Sequence, residues 1–542
     1  MEKAVIKNGW RSRLWQAMPW LWIAAGYLFD LWYQLVPGRW IVDSDLASEM
    51  ILADLLNQEG SIISHNWYYS TELKVVNLQW FYRIGLVLFP NDWHLARAFG
   101  MAITLVLYAA ALLLLARWAG LGRAGLWMTG ALLWPFGWRY LIYAIYGGYY
   151  LVYTFFYVLV LAFILRSQSE TPKRCVVFWG VACIIAAVAG MNGVKQLMVF
   201  HAPMLLATFA LLVMALHESG KMDWPGALAA CREQVRLFVA SVLTMVASGL
   251  GYLVSNAVLS QKYDFKSYDF ITWNRSDDWF TLDSILMDFF HEFGYRNGAG
   301  LFHFSGIATG VGLLLGAFMF LCMVRLMLRL RSLGNTDRLL VLLLFFMVLV
   351  CGVCYTYFQE YYQYFWLMNM PIAIAVMAVE IKTENFRLPG VRQGLAIVLA
   401  SAFTLCAVHN VRREIEKPTL AHKGLDKVAA WLVDNGYTEG YATFWNCNAM
   451  IELTSGQLDV WTLLSLNDDV IPEWLQKKEH LTTDPEKPFL LVDTETDGEP
   501  ETLGLIRCGN GELVYDDGRY QVYAFDSAAE VHAAADAAQA EN

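Results

Sequence analysis

The chain has 542 residues, of which 57% are hydrophobic and only 16% are charged. Its mean hydropathy is +0.40. A water-soluble fold does not usually bury that much apolar surface, so we predict a polytopic membrane protein. The net charge of −10, without a compact basic patch, excludes nucleic acid as a partner.

Eleven apolar segments are long enough to cross a bilayer as helices, because about 20 residues span its hydrocarbon core. The predicted spans are 15–36, 94–116, 124–143, a segment ending at Arg166, 175–190, 197–216, 237–259, 304–323, 339–355, 362–379 and 395–410. Aromatic rings cluster at the ends of these segments, as expected for residues at the membrane–water interface. The first segment lacks a cleavage signal and is predicted to be retained.

The distribution of Lys and Arg predicts the orientation of these spans. The basic loops, at 117–123, 166–174, 221–236, 325–338 and 382–392, all fall on the same side when the spans are counted in order. The positive-inside rule places that side, and with it the N-terminus, in the cytoplasm. Residues 37–93, 260–300 and everything after the last span are then predicted to lie outside.

The composition changes at Val411, where polar residues, turns and short strand-like runs replace the long apolar segments. We predict a mainly α transmembrane domain over 1–410 and a small extracytoplasmic α/β domain over 411–542. A helix is predicted over 425–435, with strands over 441–446, 489–494, 512–517 and 519–525. The end of the chain is either a short helix or a frayed tail. Cys447 and Cys508 are expected to be able to form a disulfide if this domain is extracytoplasmic.

An acidic cluster, Asp43-Ser44-Asp45, follows the first predicted span. Two carboxylates at this spacing are costly to hold together unless a positive charge or a proton compensates them. One interpretation is a catalytic base with a neighbouring ligand for a metal or a metal-bound phosphate. The other is a solvated cap, since Asp and Ser begin helices well. The residues alone leave both interpretations open.

Other polar residues near the predicted outer face are candidates for substrate binding. Lys195 lies in a short turn, where a cation suits a lipid-linked phosphate but also suits a helix anchor that snorkels to the interface. Glu360, Gln363 and Tyr364 belong to a turn rich in tyrosine, which fits either sugar binding or an interfacial belt. Arg139, at the outer end of the third span, is a further candidate of this kind.

The second long external segment, 260–300, carries Asp277-Asp278 and His291-Glu292. Its apolar residues between 278 and 293 recur at helical spacing, which predicts a helix lying on the membrane surface. The acidic groups then form either a second acidic or metal site or the solvated face of that helix.

Six short motifs occur in order over 39–100. They are Asp43-Ser44-Asp45, Ser48-Glu49-Met50, Glu59-Gly60, Trp67-Tyr68-Tyr69, Glu72-Leu73 and Asn91-Asp92-Trp93-His94-Leu95-Ala96-Arg97. This pattern resembles the first external loop of the GT-C superfamily of polyprenyl-phosphate-sugar-dependent glycosyltransferases, which includes protein O-mannosyltransferases and bacterial aminoarabinose transferases. One departure is Lys74-Val75-Val76, where those families often have Lys-Pro-Pro. The C-terminal run Gly440-Tyr441-Ala442-Thr443-Phe444-Trp445-Asn446, with Glu452-Leu453-Thr454-Ser455-Gly456, also looks like the tail of uncharacterised bacterial members, with no role assigned to it.

The resemblance implies an inverting glycosyltransferase in a bacterial cell membrane. It would move a sugar from a polyprenyl-phosphate donor to a cell-envelope glycan, lipid or protein at the outer face. Asp43 would be the base, and Asp45 a positioner or the ligand of a divalent metal such as Mg²⁺ or Mn²⁺. Lys195 would hold the donor phosphate.

Three residues of the first external loop, His65, Glu72 and Lys74, are further candidates for donor or substrate binding by the same resemblance. Two other functions stay open at this point. A lipid-linked glycan transporter or flippase would need charges buried within the spans or paired broken helices. A non-catalytic scaffold for envelope assembly would need only the external domain as a binding surface.

Overall fold

The computed structural model describes residues 2–220, 224–266, 282–357, 363–384, 390–417 and 424–541. The chain forms two compact units, each assembled from three separate stretches. The first, here called the helical unit, comprises Met1–Trp32, Thr104–Asn256 and Tyr268–Arg413. The second, here called the mixed unit, comprises Tyr33–Ile103, Ala257–Ser267 and Glu414–Asn542.

Helices dominate the chain. In order they are α1 Glu2–Leu35, α2 Ser44–Glu59, α3 Gln79–Leu88, α4 Trp93–Trp118, α5 Gly122–Ala131, α6 Leu151–Gln168, α7 Pro172–Met191, α8 Ala202–Ser219, α9 Trp224–Ala230, α10 Arg232–Ala257, α11 Leu282–His291, α12 Phe304–Leu328, α13 Asn335–Tyr357, α14 Gln363–Thr383, α15 Val391–Glu416, α16 Leu425–Asp434, α17 Phe444–Leu453, α18 Gly504–Arg507 and α19 Ala528–Glu541. Two π-helical segments, Tyr140–Tyr146 and Leu197–His201, interrupt the pattern. The mainly α membrane fold predicted from the sequence is confirmed.

Within the described ranges, nine helical segments are long and apolar enough to cross a membrane. They correspond to nine of the eleven predicted spans, so the exact count of eleven is not confirmed. The first predicted span lies in α1, which does not meet the same criterion. The third is divided between the ten-residue α5 and the π-helix Tyr140–Tyr146, because the chain turns between them at Trp134-Pro135-Phe136-Gly137.

The helical unit is organised around α14, since 89% of its apolar segment Trp366–Thr383 is buried. Elsewhere, glycine allows helices to approach closely. A Cβ at Gly190 of α7 would lie 2.0 Å from the carbonyl oxygen of Ser248 in α10. A Cβ at Gly251 of α10 would lie 2.0 Å from that of Ala187 in α7. Such backbone contact through small residues is a common way to pack helices in a bilayer.

The mixed unit contains a five-stranded sheet with the order β3-β2-β5-β7-β6. Its strands are β2 Glu439–Thr443, β3 Asp459–Leu463, β5 Phe489–Asp493, β6 Glu512–Asp516 and β7 Tyr520–Ala524. Strands β2, β3 and β5 are parallel, whereas β7 runs antiparallel to both β5 and β6. Every residue of β5 is buried, as expected for a central strand covered on both faces. A second, two-stranded ribbon pairs β1 Trp67–Tyr68 with β4 Gln476–Lys477.

This α/β arrangement agrees with the prediction from the sequence, with local differences. The strand predicted over 441–446 ends at Thr443, because Phe444 begins α17. The residues 459–463 form β3, which the sequence analysis missed. The end of the chain is the helix α19. Cys447 and Cys508 are both free thiols, and Cys447 is buried in α17, so the suggested disulfide is absent.

Candidate acidic site

Asp43 begins α2 as its N-cap. Its Oδ1 accepts a hydrogen bond of 2.7 Å from the backbone amide of Leu46, which satisfies one of the donors left open at a helix start. The helix ends at Gly60, whose φ of +64° supplies the left-handed turn. Asp43 therefore caps the helix as one interpretation of the sequence predicted, but this carboxylate is buried and not solvated.

Asp45 lies in the first turn of the same helix and is partly exposed. Burial of the carboxyl, the charge of Asp43 and, more weakly, the charge of Glu49 raise its pKa to about 7, although Lys74 acts in the opposite direction. Among the described residues, no hydrogen bond or ion pair to the carboxylate of Asp45 is formed. A carboxyl with a pKa near neutrality is suited to proton transfer.

Lys74 supplies a positive charge beside the two aspartates. Its Nζ pairs with Oε1 of Glu49, a residue that lies four positions after Asp45 on α2. The backbone of Lys74 has a φ of +50°, a left-handed conformation that is uncommon for residues other than glycine and that often marks functional sites. The structure thus brings Asp43, Asp45, Glu49 and Lys74 into one acidic site within the mixed unit.

Two further charged residues of this site were missed by the sequence analysis. Arg97, at the start of α4, is fully buried and places its Nε 3.2 Å from Oε1 of Glu452 on α17. Burial raises the pKa of Glu452 to about 7; Arg97 opposes this rise and Asp43 adds to it. Both residues belong to motifs noted in the sequence, but nothing in one sequence shows that positions 97 and 452 meet.

The remaining candidates of the first external loop occupy different surroundings. His65 is exposed; its Nδ1 lies 2.9 Å from the carbonyl oxygen of Lys262 and its ring stacks on Tyr263 at 4.3 Å. Glu72 is buried. The contacts of His65 tie the loop to the short segment 257–266, and its role in substrate binding stays a prediction.

Lys195 lies in the helical unit, in the turn that follows α7. Its Nζ is 5.6 Å from the ring centroid of Tyr150 and 5.5 Å from that of Tyr153, within the range of cation–π contact. Tyr364 stacks on Tyr150 at 4.9 Å, so two of the predicted residues, Lys195 and Tyr364, share one tyrosine cluster. A π-helix begins two residues after Lys195, and π-helical turns are frequent at functional sites.

Arg139 is committed to a different group of charges. Its guanidinium lies 2.9 Å from Asp288 of α11 and 3.3 Å from Glu292, which is fully buried. Burial raises the pKa of Glu292 to about 7, with Arg139 opposing the rise. This network attaches α11 to the segment around Arg139, which favours a structural role for Arg139. Glu360 and the Asp277-Asp278 pair lie outside the described residues, and the side chain of Gln363 is not described.

One group in the described ranges has the spacing of a metal site. Ligand atoms of Asp459, Glu479 and His480 lie within 4.8 Å of one another. However, Nζ of Lys477 lies 2.8 Å from Asp459 and 3.5 Å from Glu479, and the pKa of Asp459 falls to about 2 because His480 and Lys477 outweigh the effect of burial. A lysine already balances the charge there, so this group fits an ion-pair cluster better than a cation site. Asp45 as a metal ligand stays a prediction.

Solved structures of similar fold exist for almost the whole chain. No protein-family model and no curated protein matches the chain. The structure of ArnT from Cupriavidus metallidurans bound to undecaprenyl phosphate matches with a TM-score of 0.58 at 14% identity, covering 94% of this chain and 98% of ArnT. Its apo form matches with the same TM-score and coverage at 12% identity. The Archaeoglobus fulgidus oligosaccharyltransferase, in a complex with Zn and sulfate, has a TM-score of 0.49 at 12% identity, covering 93% of this chain and 72% of that one.

ArnT is a GT-C aminoarabinose transferase, and its similarity extends over almost the whole of both chains. The chain therefore has an ArnT-like fold, in agreement with the fold that the resemblance of residues 39–100 implied.

Proposed function

We propose that this protein is a GT-C glycosyltransferase that moves a sugar from a polyprenyl phosphate to a cell-envelope acceptor. The observation that carries the proposal is the acidic site itself, in which Asp43, Asp45 and Lys74 meet at the start of α2. Its setting supports the proposal, because the chain has the fold of a protein whose structure was determined with undecaprenyl phosphate bound.

In the proposed reaction, a hydroxyl of the acceptor attacks the anomeric carbon of the donor sugar. The bond between that carbon and the phosphate oxygen breaks, and the polyprenyl phosphate leaves with its negative charge. Asp43 accepts the hydroxyl proton, and attack from the face opposite the leaving group inverts the anomeric configuration.

The charges of the site are consistent with Asp43 as the base. Because the pKa of Asp45 is raised to about 7, Asp45 retains a proton near neutrality for much of the time. The charge of Asp43 is one cause of this rise, so a proton on Asp45 relieves the repulsion between the two carboxylates, as in other close pairs. The charge of Lys74 acts on Asp45, and exchange of the partner of Lys74 from Glu49 to the donor phosphate would offset the charge of the leaving group. Lys195 is proposed as a separate contact for an anionic headgroup.

The test is turnover by the purified full-length protein with a panel of polyprenyl-phosphate sugars and envelope extracts as acceptors. Released polyprenyl phosphate and glycosylated product are measured by mass spectrometry. We expect Asp43→Asn to lower the rate at least 100-fold, since general base catalysis contributes about 10²–10⁴-fold, with an unchanged melting temperature. Asp54→Asn is the matched control, because Asp54 lies on the same helix and contacts Gln58; this variant should retain the rate.

The outcome also separates the proposed enzyme from its rivals. Turnover that survives in Asp43→Asn would remove Asp43 from the base role. Absence of turnover with every donor, together with movement of a labelled lipid-linked glycan across reconstituted vesicles, would favour a transporter. Absence of both activities would favour the scaffold.

A further inference from the structure

The C-terminal run Glu452–Gly456 meets the motif Asn91–Arg97 at the start of α4. Both motifs were noted in the sequence, but the first had no assigned role. Besides the Arg97–Glu452 pair, the backbone amide of Trp93 donates to Oγ of Ser455 over 3.2 Å. Gly456 has a φ of +75°, and a Cβ there would lie 2.8 Å from the ring of Trp93. Only glycine fits this turn, so the contact is built into both motifs.

The same residues contact the segment that leads into α2. Nη2 of Arg97 donates to the carbonyl oxygen of Gly38 over 3.0 Å, five residues before Asp43. On α17, the backbone amide of Ala449 lies 3.4 Å from Oγ of Ser44 and donates to it. Arg97 and Glu452 thus connect three segments of the mixed unit: the chain entering α2, the start of α4 and the helix α17.

The burial of this connection suggests more than a surface contact. Arg97 has no exposed area, and Glu452 is 3% exposed. Neither oxygen of the Glu452 carboxylate has a hydrogen-bond partner with good geometry among the described residues, so Arg97 is its principal partner there. A buried charge that loses its partner is strongly destabilising. Loss of the Arg97–Glu452 pair would therefore destabilise the segments that hold Asp43.

We propose that Glu452 and Arg97 are positioning residues that hold the start of α2, and with it Asp43 and Asp45, in a fixed place. The C-terminal part of the chain is then a component of the acidic site, and α17 is the element that supplies it. The consequence for turnover rests on the proposed function, whereas the consequence for the order of α2 does not.

The first experiment measures amide hydrogen exchange in the full-length protein in detergent, for peptides covering residues 43–49. We expect Glu452→Gln and Arg97→Gln to speed exchange of these amides at least tenfold. Asp493→Asn is the control, because Asp493 is a buried carboxylate that pairs at 2.8 Å with the partly exposed Arg519 in the same unit. This control should change exchange at 43–49 by less than twofold. Exchange in Glu452→Gln within twofold of wild type would overturn the proposal.

A second variant keeps the proposal testable if Glu452→Gln fails to fold. Glu452→Asp retains the charge but withdraws the carboxylate from Arg97, and should speed exchange at 43–49 at least threefold. An unchanged rate in that variant would equally overturn the proposal.

Turnover provides a readout that general destabilisation would not give. If the acidic pair is displaced while the donor site remains, Glu452→Asp should lower kcat at least tenfold with KM for the donor within twofold of wild type. An unchanged kcat would contradict a positioning role. If the wild-type protein shows no turnover, the proposed function fails, but the exchange measurement still decides whether Glu452 and Arg97 hold α2.

Discussion

Lys195 combines a positive charge with two tyrosine rings, at 5.5 and 5.6 Å from its Nζ. The rings hold the ammonium group in place, and the hydroxyl of Tyr153 donates to the carbonyl oxygen of Asn192 over 3.3 Å, which fixes that ring beside Lys195. A charged hydrogen bond to a phosphate contributes about 1.5–3 kcal/mol, so loss of the ammonium should weaken phosphate binding about tenfold or more.

The corresponding test is binding of undecaprenyl phosphate to the purified protein. Lys195→Ala should raise Kd by about tenfold, whereas Lys195→Arg, which keeps the charge, should stay within about threefold of wild type. Lys262→Ala provides the control, because Lys262 is exposed. If Lys195→Ala bound as tightly as wild type, the interpretation of Lys195 as a helix anchor would be preferred.

At the scale of single residues, the sequence predicted best what depends on near neighbours. The spacing of Asp43, Ser44 and Asp45 was enough to predict both the helix start and the acidic pair. The pairing of Lys74 with Glu49 crosses 25 positions, and that of Arg97 with Glu452 crosses 355. Such contacts depend on the tertiary fold, and local patterns carry no information on them. The contacts of Arg139 with Asp288 and Glu292 cross 149 and 153 positions in the same way, and a role of Arg139 in substrate binding stays a prediction.

At the scale of elements, nine of the predicted spans correspond to long apolar helices within the described ranges, whereas the third does not form one continuous helix. The segment 124–143 is apolar throughout, yet it contains a turn and the beginning of a π-helix. Strand β3 was missed because its five residues lie in a short, mixed run after a turn. The resemblance of residues 39–100 predicted the GT-C fold more directly than any periodicity did.

The close contact between α7 and α10 gives a prediction at this scale. Gly251→Ala should destabilise the protein in detergent by about 1–3 kcal/mol, because overpacking of a tight contact forces the backbones apart. The control is Gly249→Ala on the same helix, where an added Cβ would meet nothing within 4 Å; it should be neutral or slightly stabilising, since alanine favours a helix over glycine. Equal melting temperatures for the two variants would show that α7 and α10 are not held together through Gly251.

For the whole molecule, the number of spans decides on which side of the membrane the acidic site lies. Both nine and eleven spans put the N-terminus and the C-terminus on opposite sides, and they agree on every loop after α6. The two counts differ only in the loops before α6. If α1 and the segment 124–143 cross the membrane, residues 37–93 lie outside and the loop 117–123 lies inside. If neither crosses, these two positions are exchanged.

A labelling experiment distinguishes the two counts. We expect Ile62→Cys to react with a membrane-impermeant maleimide in intact cells, and Arg123→Cys to react only after permeabilisation, because the basic loop should stay in the cytoplasm. Both side chains are exposed, and Cys508→Ser removes a partly accessible native thiol. Glu512→Cys and Ser332→Cys serve as outside and inside controls, since both counts agree on them.

The reverse pattern at Ile62 and Arg123 would place Asp43 and Asp45 in the cytoplasm. A donor made inside would then not need to cross the membrane before its sugar is transferred, and an acceptor at the outer face would be out of reach of the base. The side of the membrane on which Ile62 is labelled therefore determines in which compartment the acceptor must lie to reach Asp43.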